Sequence, residues 1–301
     1  MSGPTGVLRY RHRLLQAVRD FFDRRGYLEV ETPLLAPTII PEEHILPMAC
    51  GGGFLQSSPE QYMKRLLAAG EPRIYQICKS FRRGERGRLH LPEFTILEWY
   101  RAGADYRDLM TECEELVRHI AACLDLAFPF PCRGHRIDLT GPWPRLPVYE
   151  AFQRYADTTL DAALADDRFE EILTAQVEPH LGTEQPVFVH DYPATLASLA
   201  RRRPDAPHLA ERFELYMAGI ELANGFSELA DATEQRHRFT EARRRLREQN
   251  IDPGPMPERF LDALPAMGTA AGIALGIDRL LLVLLDRPAI DEVVAFPPET
   301  T

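Results

Sequence analysis

Residues 73 to 101 read RIYQICKSFRRGERGRLHLPEFTILEWYR. Arg73 to Phe81 alternates apolar and polar positions, and Phe94 to Tyr100 is a second strand-forming run, so the stretch predicts an antiparallel hairpin. Between the strands lies a polar loop with Gly84 and Gly87 that carries Arg82, Arg83, Arg86, Arg88 and His90. It is longer than most hairpin connections, and a tip this basic is a candidate functional loop.

Upstream, Arg11 to Arg25 places Leu14, Leu15, Val18, Phe21 and Phe22 at helical spacing, and Gly26 ends the pattern. Tyr27 to Pro33 alternates as a short strand that the proline breaks. Residues 36–53 are rich in proline and glycine and predict a flexible connection. A helix should begin near Ser58, with Ser58 as cap and Pro59 at the first helical position. Downstream, Tyr106 to Leu126 predicts a helix, and residues 127–147, broken by Pro129, Pro131, Pro142, Pro144 and Pro147, predict an irregular connector. Residues 148–181 read as helical, Pro186 to His190 and Phe213 to Leu222 as strands, and Asn224-Gly225 as a turn. Glu234 to Gln249 reads as a charged helix, Gly272 to Leu275 as a strand, and a last helix starts near Asp278. Strands interleaved irregularly with helices, long hairpins among them, give an α+β class with an antiparallel sheet flanked by helices.

The 301 residues, 45% hydrophobic and 27% charged, hold enough apolar material for a large core and exclude disordered or fibrous classes. No run approaches the roughly 20 apolar residues that span a bilayer, and the N-terminal stretch is broken by arginines, so a cytoplasmic chain without a membrane segment is expected. The five cysteines are an odd set without a CxxC pair, which suggests neither a disulfide framework nor a thiolate zinc site. A net charge of -10 argues against gripping a long phosphate backbone. The arginine runs at 201–203 and 243–245 lack interleaved aromatics, and acids flank the second. The histidines show no metal-ligand spacing.

Three blocks in order resemble the signature motifs of class II aminoacyl-tRNA synthetases: residues 11–35, with Gly26-Tyr27 and Pro33-Leu34-Leu35; residues 73–101, with Phe81-Arg82 and Pro92-Glu93-Phe94; and residues 272–285, with Gly276-Ile277-Asp278-Arg279. SSPEQYMKRLL, LPEFTILEWYR and GIELANGFSEL are similar to the lysine-specific branch, and most similar to its short paralogues that attach beta-lysine to a lysine of elongation factor P. The resemblance implies one catalytic domain over residues 1–301, without an anticodon-binding domain, dimerising through the first motif. It implies a reaction using ATP and Mg²⁺, with lysine or beta-lysine as substrate and elongation factor P, not tRNA, as acceptor.

By the same resemblance Arg82 and Arg279 are catalytic and hold the α- and γ-phosphates, and the ATP site takes in Arg83, Glu85, Arg88, His90, Glu214, Glu221, Leu222 and Gly276. Glu214 and Glu221 hold the metal. Asn224 meets the substrate carboxylate, Glu228 pairs with its ε-ammonium beside Glu98 and Tyr100, Glu60 takes the second amine, and Ser58, Pro59 and Ala274 complete the pocket. The residue types suit the chemistry: cations for a triphosphate, oxygen ligands for a hard metal, separate carboxylates for a diamine. The second motif departs from the family, because Arg82 is followed by Arg83-Gly84 with Glu85 one place late, and Leu91 stands where asparagine is usual. Ala274 matches the ligase branch, where lysyl-tRNA synthetases carry glycine. A truncated lysyl-tRNA synthetase and a catalytically silent paralogue that binds ATP or lysine remain the alternative readings.

Overall fold

The computed structural model describes residues 4–43 and 45–298; the ends of the predicted domain, residues 1–3 and 299–301, lie outside the described residues. Helix α1 (Pro4–Asp23) starts earlier than predicted and buries Leu14, Val18, Phe21 and Phe22. The predicted strand at 27–33 shrinks to β1 (Leu28–Glu29), paired in register with Ile74 and Tyr75, after which the chain hydrogen-bonds to the neighbouring strand only through the Val30 N–H to the Tyr75 carbonyl and the Thr32 hydroxyl to Gln76. The region read as a flexible connection forms a small sheet of β2 (Leu35–Ala36), β3 (Met48–Cys50) and β4 (Gly53–Leu55). Helix α2 (Glu60–Ala68) begins one residue later than the predicted scheme, with Pro59 at the cap, while the Ser58 hydroxyl accepts from the Glu60 N–H at 3.1 Å.

The hairpin is as predicted: β5 (Arg73–Phe81) and β6 (Glu93–Ala102) run antiparallel, from Arg73 opposite Arg101 to Phe81 opposite Glu93. Helix α3 (Tyr106–Cys123) follows, closed at its start by a capping box between Asp105 and Asp108. The stretch read as an irregular connector holds a hairpin, β7 (Phe130–Cys132) and β8 (His135–Ile137), and the edge strand β9 (Arg145–Pro147). The helical stretch 148–181 is cut into α4 (Val148–Tyr155), α5 (Leu160–Ala165) and α6 (Phe169–Ile172), the last running on through a π turn and a 3-10 turn to His180. Strands β10 (Val187–Pro193), β11 (Leu209–Met217) and β12 (Ile220–Ser227) follow.

The single strand predicted over 213–222 is thus two strands, and the turn lies at Ala218-Gly219, with φ of +52° and +72°, not at Asn224-Gly225. Gly225 sits mid-strand opposite Phe213, where a Cβ would stand 2.6 Å from the phenylalanine ring. Glycine there permits close packing rather than a turn. Helix α7 (Ala232–Glu248) matches the charged helix, whereas α8 (Glu258–Met267) had no counterpart in the sequence reading, its pattern being interrupted by Pro265. Strand β13 (Ala270–Gly276) and helix α9 (Ile277–Leu284) end the sequence of regular elements.

The main sheet has the order β1-β5-β6-β13-β12-β11-β10-β9 and is antiparallel except at its edges, where β1 pairs parallel with β5 and β9 parallel with β10. The core-facing side, with Leu97, Trp99, Ile273, Leu275 and Phe213, packs with α1, α3 and α9 in one apolar cluster. Strand alternation turns the intervening residues to the opposite face. Register then lays Glu214, Asn224, Ala274, Glu98 and Gln76 in a line across five strands. A second line runs Arg212, Phe226, Gly272, Tyr100 and Ile74.

The three sequence blocks meet at Asp278 in the first turn of α9. It accepts from Arg11 Nη1 of α1 at 2.6 Å and from the Thr95 N–H of β6 at 2.7 Å, while Arg11 Nη2 donates to Thr95 Oγ1 at 2.7 Å. Asp278 is 2% exposed, so its loss strands a largely buried guanidinium. Asp278→Ala is expected to lower the unfolding free energy by about 3–5 kcal/mol in chemical denaturation; an unchanged midpoint would deny this contact a structural role.

Candidate active site

A cleft on the polar face of the sheet encloses about 1100 Å³ of empty space, part of it open to solvent. Its floor comes from β6, β12 and β13, its rim from the 82–92 loop and the start of α9, and one wall from Ser58 and Glu60.

One end is built for cationic groups. Glu98 accepts from Ser58 Oγ at 2.6 Å through Oε1 and from the Tyr100 hydroxyl at 2.8 Å through Oε2. Glu228, fully buried, turns Oε2 to the Lys64 ammonium at 2.5 Å and leaves Oε1 without a hydrogen-bond partner. A Cβ on Gly272 would lie 2.4 Å from that oxygen and 2.3 Å from the Tyr100 ring, so only glycine leaves room between them. Burial, reinforced by Glu60, pushes the Glu98 carboxyl up to about 8. Burial outweighs Lys64 and does the same to Glu228, also to about 8. Tyr100 is driven well above its ordinary value by burial and Glu98, so it stays a phenol that donates. Glu42 reaches the same end from the loop before β3, accepting from Ser198 Oγ at 3.2 Å, and burial raises its carboxyl too. Carboxylates held out of water in this way favour a ligand that brings its own positive charge.

The other end is cationic. Arg279 is clamped across the cleft, donating to the Glu221 carbonyl at 3.0 Å, to Glu221 Oε2 at 3.2 Å, to the Leu89 carbonyl at 3.3 Å and to His90 Nε2 at 2.5 Å. Burial and the adjacent Arg279 hold His90 below its usual value, which keeps the imidazole a neutral acceptor. Arg82 is engaged loosely: its guanidinium lies 4.9 Å from the Phe94 ring centre and 3.7 Å from Glu85, and its buried Nε has no acceptor. A guanidinium left partly unsatisfied beside an open cleft suits a phosphate ligand.

The cleft brings together Ser58, Glu60, Arg82, Glu85, His90, Glu98, Tyr100, Glu221, Leu222, Asn224, Ala274, Gly276 and Arg279. Pro59, Arg83, Arg88, Glu214 and Glu228 do not line it. Pro59 caps α2. Arg83 borders a separate hollow beside Gly51, Gly52 and Gly53, and Arg88 donates to the Pro288 carbonyl at 3.2 Å, so both belong to the outer side of the loop. Glu214 lies beyond Asn224 under Arg212, Tyr192 and Tyr216, all of which donate to it, and Glu228 lies beneath the floor. Leu91, at the place usual for asparagine, is a buried apolar wall of the cleft.

The sequence reading gave no role to Lys64, Gly272 or Arg212, and took Asp278 only as part of the third motif and the start of the last helix. Lys64 carried a legible signal, since it stands four residues after Glu60 on one helix and faces it. Gly272 and Arg212 depend on pairing between distant strands and gave none. The arginines at 201–203 are paired with Glu211, Glu234, Asp191 and Asp205; Arg244 and Arg245 are paired with Glu241, Glu248 and Glu43. Arg243 donates to the Gly254 carbonyl. None of these runs presents an uncompensated basic strip.

A family model described as tRNA synthetases class II (D, K and N) matches residues 4–300. The chain is 39% identical over 316 residues to the elongation factor P (R)-beta-lysine ligase of Edwardsiella ictaluri, covering 98% of this chain and 96% of that protein. Proteins of the same name from Photobacterium profundum (40% over 307 residues, 96% and 95% covered) and Pectobacterium carotovorum (40% over 319 residues, 99% and 97% covered) are similarly related.

The raised carboxyls give a pH dependence. Bound ammonium groups favour the ionised forms of Glu98 and Glu228, so binding expels protons and tightens as pH rises from about 6 to about 8. In the free protein these two groups stabilise the fold below their ordinary value of 4.5 and lose that contribution as pH climbs through about 8, which enlarges the stabilisation by ligand at the alkaline end. Titration calorimetry with L-lysine in buffers of different ionisation enthalpy measures both effects; a pH-independent affinity with no proton release would show that the two carboxyls do not meet the ligand.

Proposed function

The chain belongs to the class II tRNA synthetase family (D, K and N), and we propose from that membership and the cleft that it is an ATP-dependent ligase for elongation factor P. It activates a lysine-type amino acid, beta-lysine, as the adenylate and transfers the acyl group to a lysine side chain of the factor. The observation that carries the reading is the polarity of the cleft, with Glu60 and Glu98 at one end, Glu228 buried beneath the floor there, and Arg82 and Arg279 at the other end. The near full-length match to ligases of elongation factor P supports a protein acceptor over tRNA.

In the first step a substrate carboxylate oxygen bonds to the α-phosphorus of ATP, the bond to the β-phosphate breaks, and pyrophosphate leaves. Arg82 stabilises charge gathering at phosphorus, and Arg279, fixed by Leu89, His90 and Glu221, steadies the departing end. Asn224 holds the carboxylate. In the second step the ε-nitrogen of the acceptor lysine bonds to the acyl carbon, AMP leaves with the electron pair, and the amine proton passes to solvent. The cleft-facing Glu85, His90, Leu222 and Gly276 shape the nucleotide side.

The acids fit one divalent cation. Glu221 faces the cleft, and Glu214 takes one donor on Oε1 and two on Oε2, leaving about one acceptor position of a carboxylate's four. Among the described residues no group of three or more His, Cys, Asp or Glu is arranged to hold a metal, so the protein would supply these two carboxylates and ATP the rest, as is usual for Mg²⁺. When bound, the ion would neutralise triphosphate charge. Leu28, Leu34 and Leu35, each roughly half exposed around the first motif, support a homodimer. Among the described residues no helix is long and apolar enough to cross a membrane, and a cytoplasmic site suits an acceptor that serves translation.

Purified protein with ATP and beta-lysine is expected to add one acyl group to elongation factor P, read by intact mass, and to leave tRNA uncharged. Efficient charging of tRNA with an unmodified factor would replace the ligase reading by that of a synthetase.

Ala274 lies between Asn224 and Glu98 in the transverse line, beneath the middle of any substrate joining the two. Its methyl group crowds an α-amine and suits an amine one carbon further on. Ala274→Gly is expected to move the kcat/KM ratio of the two isomers toward α-lysine by about 10- to 200-fold, the range set by one methyl group. A ratio unchanged within about twofold would place isomer choice elsewhere in the pocket.

A further inference from the structure

The reaction as described leaves one buried charge without a role. Lys64, on α2, is 1% exposed at its side chain, and its ammonium touches Glu60 Oε1 and lies 2.5 Å from Glu228 Oε2. The rings of Phe226 and Phe260 flank it, their centres 5.1 and 5.8 Å from Nζ. It does not line the cleft: Glu60 stands in the wall, and Lys64 stands behind it. Burial opposes the ammonium, but Glu228 and Glu60 outweigh burial and hold it charged.

We propose that Lys64 is a positioning residue that sets the charge of the amino-acid pocket, a resident ammonium that leaves the carboxylates of Glu60, Glu98 and Glu228 two positive charges short of neutrality. The inference rests on the lysine-type reading of the cleft and deepens it. Glu42 turns to Ser198 Oγ and has no contact with Lys64; the remaining three carboxylates and one lysine balance a substrate with two ammonium groups, which describes α- and beta-lysine rather than amino acids with a single one. Lys64 also fixes where each charge sits. By taking Glu228 Oε2 from behind, it leaves Oε1 as the free acceptor toward the notch between Gly272 and Tyr100. The same grip holds Glu60 at the wall.

A purely structural account is weak, because an ion pair in an apolar box adds little to stability compared with well-packed apolar residues, and Phe226 and Phe260 would accept one. The titratable groups facing the ammonium are Glu60 from its own helix, Glu228 at the end of β12, and Glu98 and Tyr100 from β6, with Glu42 next to Glu60; α8 contributes only the Phe260 ring. Without Lys64 a third negative charge must be quenched by a proton. The carboxyls then hold their protons more tightly, because the cation that favoured their ionised forms is gone, and two of those protons must still leave before two ammonium groups can pair, so substrate binding competes with acid more strongly than in the wild type.

The test is ATP–pyrophosphate exchange by the full chain with beta-lysine and with L-lysine, from about pH 6.5 to about pH 9, for the wild type, Lys64→Met and Lys64→Gln. Both variants are expected to raise the amino-acid KM at least about tenfold near neutrality, with kcat and the KM for ATP within about threefold of wild type. The deficit should shrink by up to about tenfold per pH unit toward the alkaline end. Glutamine can hydrogen-bond both carboxylates without charge, so it separates charge from tethering, and it carries the test should the methionine variant not fold. A deficit that does not change with pH, or a glutamine variant with wild-type KM, overturns the role. A wild type that exchanges with neither isomer overturns the functional reading, and this inference with it; a normal wild type beside variants of unchanged KM overturns the inference alone.

Discussion

Asp278 is the point on which the architecture turns. A carboxylate in the first turn of α9 is favoured by the helix start, and here it also receives a guanidinium from α1 and a backbone N–H from β6. One short side chain thereby ties three segments that lie far apart in the chain. The tie also fixes function, because Arg279 follows Asp278 directly and so points across the cleft toward Glu221 and the 82–92 loop. A helix start that shifted by even one residue would carry the guanidinium to another face of α9.

The two ends of the cleft solve opposite electrostatic problems. At the end proposed for the phosphates the protein supplies guanidinium groups, which stay charged under any condition and bind anions in planar, two-pronged fashion. At the amine end it supplies carboxyls whose charge is conditional, because burial holds Glu98 and Glu228 near neutrality until a cation arrives. Such a pocket resists filling by water or by a neutral side chain alone. On the proposed reading its discrimination comes from the ion pairs that form only when a cation draws the protons off these acids, and a ligand without an ammonium group gains none of them.

The long hairpin at 73–101, the first and last helices and the α+β class were legible because each rests on local periodicity or a proline and glycine boundary. The reading of Asn224-Gly225 as a turn failed for a definite reason. Turn propensity cannot see that Phe213, on the neighbouring strand, needs the space a side chain at 225 would fill. The same limit explains Gly272, whose necessity lies in Tyr100 and Glu228. Short strands such as β7 and β9 were invisible because three residues carry no period, and only partners elsewhere in the fold make them strands. Of the site, motif resemblance gave the residues at the cleft wall. It also named Arg83 and Arg88, because a run of arginines on a loop does not reveal which of them face inward.

The transverse line Asn224, Ala274, Glu98 gives the cleft a ruler that loops could not provide. Adjacent strands are held at a spacing fixed by backbone hydrogen bonds, so the interval from β12 across β13 to β6 is roughly 9–10 Å and cannot drift with side-chain motion. A chain of lysine's length laid across the strands would meet Asn224 with its carboxylate and the Glu98–Tyr100 pair with its far ammonium. It would pass over Ala274 on the way. A shorter diamino acid would leave one end unpaired, and a longer one would have to buckle against a floor made of backbone. On the proposed reading, length is set by strand spacing and charge by the buried acids and Lys64 behind them. In the proposed function that separation leaves one small residue in the middle of the ruler, Ala274, to govern where the second amine lies, without disturbing either end.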